Sequence, residues 1–361
     1  MTTRTDRLMA ERYVAQLLAG PPAADALTVV ERLLAVQAQD PRGARLAIRA
    51  RSSGLSSADV DRALTRDRSM VIAWLNRGTL HLVSRADYPW LHALTTPPLL
   101  TGNARRLAQE GITGDAADRA VAVIVKALVA NGPMTREQLR DRVRAAGVRT
   151  EGQALVHVMA LASHRRLIVR GPMIGKQQGF ALTRDWLGES EPIDRDRALA
   201  ELARRYLSGH APATDRDLAQ WAGVPLRDAR AGLQKIAKEL VERDGGMVSL
   251  AARKPTALMP PPKLLGSYEP VLLGWTSRVP ILGEHVLKVT IEGVFRGFAL
   301  VRGKGVATWS IRDGRVVLSP FAALSARDAA ALKADALDVL HFLNMQQRKV
   351  AGEEGFEPST F

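Results

Sequence analysis

Hydrophobic positions recur every three to four residues over long stretches of the chain, and that period predicts a helix-rich fold. Asp118 to Gly132 shows it in DRAVAVIVKALVANG, and the Gly132-Pro133 pair ends the run. Thr135 then offers an N-cap for TREQLRDRVRAAG; Gln138, three residues on, completes a capping box, and Gly147 closes the segment. TEGQALVHVMALASHRRL predicts a longer third helix. The period then shortens to two: LIVRGPM and FALT read as strands joined by the polar turn IGKQQG. Three helices followed by a hairpin is the winged-helix order, in which the later helix enters a DNA groove and flanking elements touch the backbone.

The order recurs downstream. DRALAELARRYLSGH predicts a first helix, ATDRDLAQWAGV a second capped by Thr214 or Asp215, and PLRDARAGLQKIAKELVERDG a third, with GMVSLAA as a truncated wing strand. Upstream, ALTVVERLLAVQAQ and LSSADVDRALTRD predict two helices, and Thr79 to Val83 a strand. YPWLHALTTPPLLTGNARRLAQEGITGD reads as short helices broken by Pro97-Pro98 and by Gly102. After a proline-rich linker at Pro260 to Pro262, the runs VLKVTIEG, VFRGFALV, GVATWSI and RVVLSPF alternate in the manner of strands. The turns RGKG and RDG separate three of them. They predict an antiparallel sheet or small barrel, closed by the helix SARDAAALKADALDVLHFLNMQQRK. The expected fold class is α+β. Three tandem winged-helix units occupy residues 5–115, 116–190 and 191–256, a β-domain with its closing helix occupies 257–348, and a polar, disordered tail occupies 349–361.

Composition then narrows the chemistry. The 361 residues contain no cysteine, which excludes disulfides, thiolate nucleophiles, cysteine-bound zinc and iron–sulfur clusters. The seven histidines are dispersed, and neither HExxH, GxxxxGK[ST] nor GxSxG occurs, so no metal and no cofactor is expected. No apolar run is long enough to span a bilayer and the first residues lack a signal-peptide core, so the cytoplasm is the expected compartment; a nucleoid-associated monomer is expected as part of the DNA reading that follows. Lys and Arg exceed Asp and Glu by 14, and arginine dominates. An arginine-rich proteome explains the count of arginines but not the imbalance, which favours a polyanionic partner, DNA above all.

Within this frame Gln37 and Gln39 stand out, because two uncharged amides sit where an apolar helix ends. Pro41 disfavours helix at Asp40, so the helix is expected to end near Ala38. On an extended segment the two side chains point the same way. The alternative, one amide capping carbonyls and the other solvated, stays open on the residues alone. NRGTLHLV places Thr79 and His81 on one strand face beside Arg77. LLGSYEPVLLGWTSR gathers Tyr268, Glu269, Trp275 and Arg278, a set whose aromatic and basic members suit either nucleic acid or, for Trp275, a domain anchor. Arg296, Arg302 and Lys304, on or between strands, are candidate phosphate contacts.

Tandem winged helices, the Gln37-Ala38-Gln39 motif, RGTLHLV and LLGSYEPVLLGW, in that order, resemble the AlkZ/YcaQ-like winged-helix DNA glycosylases over residues 5–345. The resemblance implies removal of N7-alkylated purines from double-stranded DNA and unhooking of interstrand crosslinks, by a monofunctional glycosylase. Gln-apolar-Gln is that of the branch resembling self-resistance enzymes against azinomycin-type antibiotics. It further implies a C-shaped cleft around DNA, a hairpin that probes the minor groove, and catalysis by Gln37 and Gln39. Arg45, Arg77, Thr79 and His81 would support the site or nearby phosphates. Two other classes remain: a winged-helix transcription regulator, which predicts operator binding as a symmetric dimer, and a non-catalytic DNA-binding protein, which predicts affinity without base release.

Overall fold

The Thr135 capping box forms as its spacing predicts: the Thr135 hydroxyl accepts from Gln138 N at 3.2 Å, and the Gln138 side chain accepts from Thr135 N at 2.8 Å. This geometry comes from a computed structural model of the chain, which describes residues 4–175, 177–191, 193–254, 256–345 and 356–358. The chain forms two compact units, one of Asp61–Leu199 with Ala222–Pro225, the other of Met1–Val60, Ala200–Trp221 and Leu226–Phe361.

In the first of these, helices Gly114–Asn131, Arg136–Ala145 and Ala154–His164 are followed by strands Ile168–Ile174 and Gln177–Leu182. The order is the expected one. Ile124, Leu128, Leu139, Val143, Leu155, Val158, Ile168 and Phe180 form its core. Burying such side chains stabilises by about 1.5–3 kcal/mol each, so packing decides where helix Ala154–His164 goes. All of it except Val156 and His157 is buried, which makes it a core element rather than a groove reader. The same unit holds a hairpin of Met70–Trp74 and Leu80–Ser84, in register Ala73↔His81. Helix Leu99–Gln109 runs straight through Gly102, so only Pro97-Pro98 breaks that region.

In the other unit, helix Ala26–Leu33 is capped by Asp25, whose carboxylate accepts from Thr28 N at 2.7 Å. Helices Asp215–Ala222 and Leu226–Lys235 precede a hairpin of Leu240–Arg243 and Met247–Leu250. Thr214 is the cap, accepting from Asp217 N at 3.1 Å. The long helix expected from residue 225 to 245 therefore stops ten residues early, and its end supplies the first wing strand. The C-terminal sheet has the order Phe356–Pro358, Arg315–Pro320, Lys304–Arg312, Phe298–Val301, Lys263–Leu265. It is open at both edges, so the barrel expected as one alternative is not formed. Its two tight turns have positive φ at both central residues, Arg302-Gly303 and Asp313-Gly314, as a type I′ hairpin requires. VLKVTIEG splits into a helical turn, Val286–Val289, and a short strand, Thr290–Ile291, which pairs with Val294–Phe295. Helix Ala326–Phe342 buries Leu332, Ala336, Val339 and Phe342. Of the tail, Phe356–Pro358 lies alongside Arg315–Pro320 in parallel; the rest of the stretch expected to be disordered lies outside the described residues.

Candidate active site

Helix Ala26–Leu33 ends five residues before the expected point. Leu34 turns into the left-handed region at φ 65°, Ala35 N bonds Leu33 O at 2.8 Å, and Val36–Gln37 is extended. Asp40 then caps helix Pro41–Arg49, accepting from Arg42 N at 2.9 Å, with Pro41 in the first turn where its missing N–H costs nothing. Gln37 and Gln39 are thus pinned on a short extended bridge between two helices. Their side chains point the same way and meet: Gln37 Nε2 donates to Gln39 Oε1. Gln37 is 7% exposed and Gln39 is exposed. The inner amide orients the outer one.

The helix after the pair lies backbone to backbone against Gly266 and Ser267. A Cβ on Gly43 would stand 2.4 Å from Ser267 O. That close approach brings Tyr268 beside the bridge. Burial raises the Tyr268 hydroxyl pKa above its ordinary value, and the Asp40 carboxylate raises it further. The Tyr268 ring lies 5.6 Å from that of Phe295, over which the Arg278 guanidinium sits at 5.0 Å. Arg278 Nε also donates to Leu272 O at 3.1 Å. Phe295 escapes sequence reading because nothing local distinguishes it from the other apolar residues of its strand.

Two buried arginines hold this arrangement. Arg51, fully buried, donates to Glu269, to Gln16 O at 2.7 Å and to Ala47 O at 2.8 Å. Arg49 donates to Leu264 O at 3.1 Å and pairs with Asp335 and Asp338 of helix Ala326–Phe342. Both ends of the segment carrying Tyr268 are therefore tied to the end of helix Pro41–Arg49 and the turn that follows it.

Other candidate residues fall elsewhere. Arg45 is half-buried and donates to Pro41 O of its own helix at 2.7 Å. Arg77, Thr79 and His81 belong to the Asp61–Leu199 unit and cluster there. The Thr79 hydroxyl donates to Asn76 O at 3.2 Å, and His81 Nδ1 lies 3.0 Å from Thr79 O. His81 is 3% exposed, and burial, then the Arg77 charge, push its pKa down to about 3. It is a neutral, packed imidazole. Arg77 has φ 57° and backs onto Gly223, where a Cβ would come within 2.8 Å of Arg77 N.

Trp275 is buried; its Nε1 donates to His210 O at 3.0 Å and Arg12 lies 4.5 Å above its ring. It is a packing anchor, which removes it from the surface-contact role. Arg302 pairs with Asp328 at 3.0 Å, and Lys304 with Asp6 at 3.6 Å and Pro280 O at 2.9 Å. Both charges are matched within the protein, which weakens the case for either as a phosphate ligand. Arg296 has an exposed side chain, and its backbone N bonds Val289 O at 2.9 Å.

A family model described as DNA glycosylase AlkZ-like matches residues 30–342. Among solved structures, the Streptomyces sahachiroi DNA glycosylase AlkZ is similar, with a TM-score of 0.76 and 24% identity over 94% of this chain and 96% of that one. At that identity the likeness is one of fold. No curated protein sequence matches the chain.

Proposed function

Because the chain belongs to the AlkZ-like DNA glycosylase family, with DNA as its substrate class, we propose that it hydrolyses the N-glycosidic bond of N7-alkylated purines at the Gln37–Gln39 pair. The observation that carries this reading is the amide pair itself, one member buried and bonded to an exposed partner. Neither amide can supply a proton near neutral pH. An N7-alkylguanine needs none, since it carries positive charge and departs neutral. Water oxygen bonds to C1′, the C1′–N9 electron pair returns to the base, and the water proton passes to solvent. What the protein must supply is a held water and a favourable dipole for the positive charge growing on the sugar. The Gln39 carbonyl, with a second lone pair beyond the bond from Gln37, and its amide N–H groups can do both.

The surroundings fit a lesion in duplex DNA. Tyr268, Phe295 and Arg278 offer an aromatic and cationic surface near Asp40. The Thr290–Phe295 hairpin carries exposed Ile291 and Val294, at 40% and 54%, and is the one we assign to the minor groove. A crosslinked base is tethered to the opposite strand and cannot fully flip, so an enzyme reaching it through an opened groove would also unhook interstrand crosslinks. That activity suits self-resistance to an azinomycin-type alkylating antibiotic, carried out by a monomer.

The test is release of N7-alkylguanine, and unhooking of a crosslinked duplex, by wild type, Gln37→Ala and Gln39→Ala. Each substitution should lower the single-turnover rate by about a hundredfold or more with damaged-DNA affinity kept. A wild type that binds damaged duplex and releases no base overturns the reading in favour of a non-catalytic DNA-binding protein.

A further inference from the structure

The hairpin Ile168–Ile174 and Gln177–Leu182 sets Arg170 directly opposite Phe180. Phe180 in turn exchanges both backbone hydrogen bonds with Met134, at 2.8 and 3.1 Å. From Met134 the chain passes through the Thr135 cap into Arg136, the first residue of its helix. Arg170, Phe180 and the start of that helix therefore lie abreast. A register shift between Arg170 and Met173 bulges the strand at this point, and bulges re-aim side chains. The Arg170 guanidinium lies 4.2 Å from the Phe180 ring centre and 5.9 Å from that of Trp74, and the two rings are stacked. One of its nitrogens donates to Gln178 O at 3.2 Å. Arg136 Nε is buried and has no hydrogen-bond partner.

Neither arginine makes an ion pair with a carboxylate among the described residues. Burial, and then the neighbouring Arg136 charge, lower the Arg170 pKa to about 10. Two half-buried like charges without a counter-ion are costly to the fold. Some other arginines of this unit are paired: Arg165 holds Asp118 at 2.7 Å and Arg144 holds Glu151 at 3.8 Å. The expense is offset when an anion arrives from outside. Helix Ala154–His164 is core, whereas Arg136 and Arg170, at the helix start and on the hairpin, both stay partly exposed.

We propose that Arg136 and Arg170 together clamp one backbone phosphate of the DNA duplex at the base of this hairpin. The proposal rests on the DNA-substrate reading but not on the glutamine chemistry. Stacking on Phe180 and Trp74 fixes the plane of the Arg170 fork, which suits two-point binding of a phosphate. The contact carries no sequence information and positions the duplex.

Fluorescence anisotropy with a short undamaged duplex, over a series of salt concentrations, tests it. Arg136→Gln should weaken binding several-fold, and the slope of log affinity against log salt should become shallower by about 0.9, the share of one phosphate. Arg170→Gln should do the same, and Arg170→Lys should keep the slope while losing part of the affinity. Arg165→Gln, whose guanidinium is already held by Asp118, should leave the slope unchanged. Single-turnover base release at saturating enzyme should be unaltered in Arg136→Gln, which separates this site from the glutamine pair. Should Arg170→Gln fail to fold, Arg136→Gln carries the test. An unchanged slope in a folded Arg136→Gln overturns the clamp alone; a wild type that binds no duplex overturns the clamp and the DNA reading together.

Discussion

Gln39 faces outward and Gln37 holds it from behind, and this division has a kinetic consequence. Neither amide titrates, and His81 stays neutral down to about pH 3. The rate of N7-methylguanine release should therefore be flat from about pH 6 to 8, where only a group of near-neutral pKa would bend it. Uracil and hypoxanthine, which leave as anions unless protonated, should not be released. A bell-shaped profile, or release of either neutral base, would show that an acid or base does the work. A second residue-scale consequence concerns support. Arg51 and Glu269 are fully buried and paired. Removing one partner strands the other's charge, at about 3–5 kcal/mol. Arg51→Met should lower the urea midpoint sharply, and adding Glu269→Gln should recover part of it. The glutamines were legible because two amides ending an apolar helix are locally odd. Arg51 and Phe295 were not, and Glu269 was visible only as a neighbour of Tyr268, since their meaning lies in partners dozens or hundreds of residues away.

At the scale of elements, the fit of helix Pro41–Arg49 against Ser267 is the most exposed to a single methyl group. Gly43→Ala would place a Cβ 2.4 Å from a backbone oxygen that has no rotamer to escape through. The helix must shift, and the bridge holding Gln37 and Gln39 shifts with its cap at Asp40. We expect base release to fall at least tenfold, beyond what the loss of stability explains, and a crystal structure of the variant to show the helix displaced. Wild-type rates in Gly43→Ala would mean the bridge is held without that contact. Elements fixed by local chemistry were readable beforehand: the Thr135 capping box, the Arg302-Gly303 and Asp313-Gly314 turns, and the three helices with hairpin that follow Thr113. Elements fixed by packing were not. Met70–Trp74 is as apolar as a helix segment, and pairing with Leu80–Ser84 makes it a strand. Helix Ala26–Leu33 stops at Leu34, whose positive φ turns the chain into the extended bridge, and no local residue signals that stop. The open edge strand Lys263–Leu265, far in sequence from its partner Phe298–Val301, is what distinguishes a sheet from a barrel, and alternation alone cannot see it.

At the scale of the whole molecule, four buried imidazoles couple stability to pH. Burial holds His81 and His210 down to about 3, and His92 and His164 to about 4. In the unfolded chain each returns to about 6.5. Below that value the unfolded state takes up protons that the folded state refuses, so stability falls as the pH falls; above it the four groups are neutral in both states and contribute nothing. Each histidine removes up to about 1.4 kcal/mol per pH unit between about 6.5 and its folded value. Three of the four lie in the Asp61–Leu199 unit and only His210 in the other. Acidification from about pH 7 to 5 should therefore split unfolding into two transitions, with the Asp61–Leu199 unit melting first. Urea titrations followed by amide exchange in each unit would resolve them, and His92→Gln should move the first transition back toward its neutral-pH position. A single transition at pH 5, or a first transition in the unit that carries Gln37 and Gln39, would mean that carboxylate protonation rather than the buried imidazoles governs acid stability.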